Sequence, residues 1–106
     1  MALSGQYPLP LLGLTLSAAY MRVNAVEIIT APGQPQAANI TYAVYADETA
    51  RRQGKNPVAV DRYQVTGDLF NQLFSPTALD QANANPIKSA YLVLKTLDAF
   101  KNFSDV

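Results

Sequence analysis

The sequence predicts an α+β fold: a small antiparallel β-sheet or sandwich with an N-terminal hairpin and one C-terminal amphipathic helix packed on it. Three observations carry this prediction. Residues 40–47 and 58–65 alternate with a period of two, the pattern of half-buried strands. Ile87, Ala90, Tyr91, Leu94 and Leu97 recur at helical spacing, which makes one apolar stripe along a helix. Proline and glycine gather between the patterned segments, at Pro8, Pro10 and Gly13 and again at Pro32, Gly33 and Pro35, where turns and loops belong.

The 106 residues suit a single domain spanning 1–106 with one modest core. Its parts divide into a hairpin or arm at 1–17, antiparallel strands over 18–66, an irregular connector at 67–85 and a helix at 86–101. In the arm, Pro10-Leu11-Leu12-Gly13 separates two short extended runs. Proline sets φ and glycine accepts positive φ, so the tetrapeptide reads as a tight turn. Leu9, Leu11, Leu12, Leu14 and Leu16 make this arm apolar, and the two leucines at the turn cannot both face a core.

Residues 20–30 read as the next strand, rich in β-branched side chains,. Met21, Val23 and Ala25 share one parity and Val26 and Ile28 the other, so a bulge is expected near Asn24. The segment 31–38, APGQPQAA, reads as a loop. In the strand that follows, Ile40, Tyr42, Val44 and Ala46 share a face opposite to Thr41, Ala43 and Tyr45. The connector 47–57 opens with a helical turn over residues 48–52 that Gly54 closes. Residues 58–65 then return antiparallel, with Val58 and Val60 on one side and Ala59, Tyr63 and Val65 on the other,. Leu69, Phe70, Leu73 and Phe74 suggest one or two helical turns ended by Ser75-Pro76,. Pro86 suits the first turn of the closing helix.

Composition excludes several chemistries. There is no histidine and no cysteine, which removes Ser-His-Asp and Cys-His catalysis, the usual zinc sites and disulfides. Eight basic and eight acidic residues cancel, so no global field gathers nucleic acid or anionic lipid. Charged residues make up only 15% against roughly 25% in average domains, leaving a charge-poor surface. The expectation is a protein with no catalytic, metal or cofactor site, not an enzyme, made in the cytoplasm without a targeting signal or membrane span.

Two clusters merit weighing as sites. Arg51, Arg52 and Lys55 form a basic group, but Asp47, Glu48 and Asp61 flank it and no glycine-rich phosphate cradle accompanies it. A solvated join is favoured, then a protein contact, with nucleic acid last. The same carboxylates lack calcium-loop spacing. Among the tyrosines, Tyr42 and Tyr45 point to opposite faces, and Tyr20, Tyr63 and Tyr91 are candidates for an aromatic cluster, with packing favoured over sugar binding.

The opening MALSGQY before AYMRV, the segment TYAVYADETARRQGKNPV, the run RYQVTGDL and the closing AYLVLKTLDAF resemble a family of small tailed-bacteriophage virion structural proteins. The resemblance spans most of the chain and is weakest over residues 70–86. It implies a virion component of the tail, neck or baseplate, present in symmetric multi-copy assembly, with other phage virion proteins as partners and the virion as its location. A capsid decoration protein, or a small module binding a host protein or glycan, is the alternative. The expected protein-interface residues are Leu9, Leu11, Leu12 and Leu14 of the hairpin, Gln34 of the loop, and Arg51 and Arg52 of the connector.

Overall fold

The computed structural model describes residues 2–30, 33, 36–81, 84–98 and 100–106. Strands β1 (Leu3–Leu9), β2 (Leu14–Ile29), β3 (Ala37–Tyr45), β4 (Ala59–Val65) and β5 (Ser104–Asp105) form one sheet in the order β4-β3-β2-β1-β5. Each neighbouring pair is antiparallel. The helices are α1 (Glu48–Arg52), α2 (Gly67–Leu73), α3 (Pro76–Leu79) and α4 (Pro86–Leu94). The molecule is α+β, and its core lies between a sheet face and helices, not between two sheets of a sandwich.

No break separates an arm from the sheet at residues 17 and 18. Between Leu14 and Ile29 the chain has neither proline nor glycine, so extended backbone continues through 16 residues. The hairpin is therefore the free end of two sheet strands, β1 and β2. Along β2, the register against β3 shifts between Val23 and Ala25. That bulge lets Met21 and Val23 before it, and Val26 and Ile28 after it, contribute to the same core, which resolves the parity conflict in the sequence.

The loop expected over 31–38 is shorter at its far end. Ala37 and Ala38 are buried in β3, opposite Ile29 and Ile28. Residues 31, 32, 34 and 35 lie outside the described residues. The connector 67–85 is also more regular than expected. Ser75-Pro76 ends α2 and starts α3, because the Ser75 hydroxyl accepts from the Ala78 N–H at 3.2 Å and proline needs no donor there.

The closing helix stops at Leu94 instead of continuing to residue 101. Beyond it the N–H groups of Thr96, Leu97 and Phe100 bond carbonyls three residues back, tighter turns that redirect the chain. Phe100 and Phe103 thereby enter the core. Their rings meet edge-to-face at 5.1 Å, Tyr42 approaches Phe100 edge-to-face at 5.3 Å, and Tyr7 stacks on Phe100 at 6.0 Å. The aromatic cluster among the described residues is thus centred on Phe100, with Tyr7, Tyr42 and Phe103. In α4, Ala90, Tyr91, Val93 and Leu94 are buried, while Ile87 is 40% exposed and Leu92 47% exposed.

Candidate functional site

The hairpin turn is built by Pro10–Leu12, one turn of 3₁₀ helix, followed by Gly13 at φ +64°. Glycine accepts that left-handed geometry without a Cβ penalty, and its N–H donates to the Pro10 carbonyl at 3.2 Å. The turn holds Leu11 and Leu12 outward. Leu11 is 101% exposed, Leu12 68% and Leu14 57%; Leu9 pairs with Leu14 across the strands and is half-buried. From Ala2 to Met21 no side chain is charged. The hairpin is consequently an uncharged projection with three leucines at its tip, the composition of an interface centre.

Its base is tied down. Tyr7 stacks on Phe100, and Gly5 lies so close beneath the ring of Phe103 that a Cβ on it would sit 2.6 Å from Cδ1. Helix-layer side chains thus hold the root of the hairpin, and the leucines lie beyond the cover those side chains provide.

The other expected contacts are placed elsewhere. Arg51 is half-buried and Arg52 exposed on α1, which follows Tyr45, the partner of Tyr20. Leu14 is six residues farther along β2, about 20 Å at the rise of an extended strand. The fold does not bring the arginines and the leucine tip together. Arg52 pairs with Glu48 at 2.6 Å across one helical turn, an exposed pair of small energetic consequence. Gln34 lies outside the described residues.

The flanking carboxylates have local roles. Asp47 caps α1 by accepting from the Ala50 N–H at 2.7 Å, and Asp61 accepts from the Arg62 N–H at 2.7 Å. Among the described residues no three acidic, histidine or cysteine side chains gather as a metal site. Likewise no helix is long and apolar enough to cross a membrane. Burial is the main cause that raises the Tyr42 phenol, with Asp61 and Tyr7 adding to it. Burial also raises Tyr91, opposed by the Val23 N–H bond and Arg22.

Two concavities were not legible in the sequence. A cleft of about 570 Å³ at the hairpin root is lined by Ser4, Gln6, Thr15, Ser17, Asn102 and Ser104 among others, with Asp98 its ionisable group. Its aromatic wall, Phe103, is buried, so no exposed ring is offered as a stacking platform. A second groove of about 250 Å³ lies between α2–α3 and α4, with Leu73, Ala78 and Leu92 in its lining. The one local signal for it is Leu92, an apolar residue out of phase with the buried stripe of its helix. No family model, no curated protein and no solved structure matches the chain.

Proposed function

We propose that the chain is a non-enzymatic structural component of a tailed-phage virion, bridging or anchoring larger proteins of the tail, neck or baseplate in several copies. The observation that carries this reading is the uncharged hairpin, anchored at its root by Phe100 and Phe103 and presenting Leu11, Leu12 and Leu14 at its tip. The resemblance of its phrases to small virion proteins supplies the setting. A protein partner fits this chemistry better than nucleic acid, which requires cationic contacts that the hairpin lacks.

Burying the three leucines would contribute roughly 1.5–3 kcal/mol each. Association costs about 4–15 kcal/mol in lost freedom, so one tip makes a weak contact. Repeated copies convert weak contacts into a stable attachment through effective concentration. Arg51 and Arg52, on α1 away from the tip, serve in this reading as a separate, secondary contact.

The test is mass spectrometry of particles purified from cells carrying the gene in its native genome. Wild-type protein should be present at fixed stoichiometry, whereas a folded Leu11→Ser/Leu12→Ser variant should be absent from particles. Wild-type protein missing from the particles would overturn the reading.

A further inference from the structure

We infer that Asp61 and Arg62 guard the open edge of the sheet, preventing a second copy of the chain from adding its own β4 beside β4. The guard is independent of the virion role proposed above. Strand β4 ends the sheet and pairs with β3 alone among the described residues. Its outer side therefore presents backbone groups that can template another strand. The rest of the strand suits such pairing: Val60 is 60% exposed, and Val60, Tyr63 and Val65 are residue types that favour sheets. The opposite edge is closed by other means. There β5 covers Leu3 and Ser4, Phe103 packs over Gly5, and Pro8 has no N–H to offer.

At β4 a hydrogen bond and two charges take that part. Asp61 Oδ1 accepts from the Arg62 N–H at 2.7 Å. A donor held this closely by a side chain is outside the ladder with Thr41, its register partner, and so lies on the open edge. The carboxylate thus occupies the donor that an added strand would need at the middle of β4. Symmetry turns the charges against a copy of the same chain. Two identical edge strands pair antiparallel about a two-fold axis, and because opposed residues share a face, the axis passes between a residue and its own equivalent. Centred on Arg62, the register that overlaps all seven residues of β4, the pair sets guanidinium against guanidinium. Centred on Asp61, it sets carboxylate against carboxylate. Like charges directly opposed destabilise a strand pair. Centred on Tyr63, the overlap loses Ala59 and Val60 and sets the Asp61 carboxylate against Val65.

The experiment is sedimentation velocity over a wide concentration range on the purified full chain carrying Leu11→Ser/Leu12→Ser, so that the tip makes no contribution. This parent should stay monomeric. Adding Asp61→Ala/Arg62→Thr frees the N–H and removes both charges from exposed positions, and should tighten self-association by roughly tenfold or more. Adding Asp61→Ala/Arg62→Pro removes the same charges but also the donor, and should return the chain to a monomer. If the proline variant fails to fold, Val60→Lys added to Asp61→Ala/Arg62→Thr repeats the test, because a lysine blunts an edge without touching the N–H. Hydrogen exchange on the parent reads the guard directly: the Arg62 amide should be better protected than those of Val60 and Gln64. A parent that dimerises, an Asp61→Ala/Arg62→Thr variant as monomeric as the parent, a blocked variant that dimerises regardless, or an Arg62 amide as labile as its neighbours would each overturn the inference. Particle content does not enter these measurements, so their failure leaves the virion reading standing.

Discussion

The hydroxyl of Tyr91 accepts a hydrogen bond from the backbone N–H of Val23 at 2.9 Å, tying α4 to the sheet beside the bulge in β2. Pairing of β2 with β1 ends at Leu3 opposite Met21, and its register with β3 shifts just after Val23. The phenol therefore supplies an acceptor beside that register shift. Tyr91→Phe keeps the ring and deletes the acceptor. The expected loss is about 1–3 kcal/mol, the cost of an unsatisfied buried donor, seen as a lower urea midpoint with an unchanged slope.

The same phenol, with Tyr42, predicts how stability responds to alkali. Both are raised above the ordinary value of 10.0, chiefly by burial. A raised phenol favours the neutral form in the folded state, so its contribution is fully present below about pH 10, the unfolded value. It is lost as pH climbs from there through the folded value, because the unfolded chain ionises first. Denaturant midpoints should fall above about pH 10, and Tyr91→Phe should flatten that fall.

Phe100 touches Tyr7, Tyr42 and Phe103 with its ring and so joins the hairpin root, the central sheet and the turn after α4. Phe100→Ala should cost about 3–5 kcal/mol, the range for deleting a buried aromatic. Hydrogen exchange should show the Gly5 to Leu9 amides losing protection along with the core.

Gly5 has no room for a side chain, since Phe103 above it is buried against Phe100. Gly5→Ala should destabilise by about 1–3 kcal/mol through overpacking. Pairing it with Phe103→Leu should recover part of that loss in a double-mutant cycle, whereas additive losses would show that the ring is not the obstacle.

Leu11 and Leu12 face solvent, so Leu11→Ser/Leu12→Ser should shift stability by no more than about 0.5 kcal/mol per site. An unchanged melting curve would separate any loss of association from a loss of fold.

Much of the sheet was legible because its cause is local. Ile40, Tyr42 and Val44 are buried on one face as their alternation implies, and Val58 and Val60 are exposed opposite Ala59, Tyr63 and Val65. The bulge after Val23 was legible from a parity conflict, since apolar residues on two parities can share a core only if the register slips. The hairpin turn followed from Pro10 and Gly13, and with it that Leu11 and Leu12 cannot both face the core; in the structure both are exposed.

The sequence by itself determined an α+β protein, the alternation of β3 and β4, the turn and its leucines, and the absence of histidine and cysteine chemistry. Only the tertiary structure decided that α4 stops at Leu94, that Phe100 and Phe103 pack on Tyr7 and Gly5, that Ser104 and Asp105 pair with β1, and that a groove opens beside Leu92. The reason is range: alternation, turns and residue chemistry are set by neighbours a few positions apart. Phe100 on Tyr7 and Ser104 on Ser4 join opposite ends of the sequence, and no periodicity marks such pairs until the sheet brings them together.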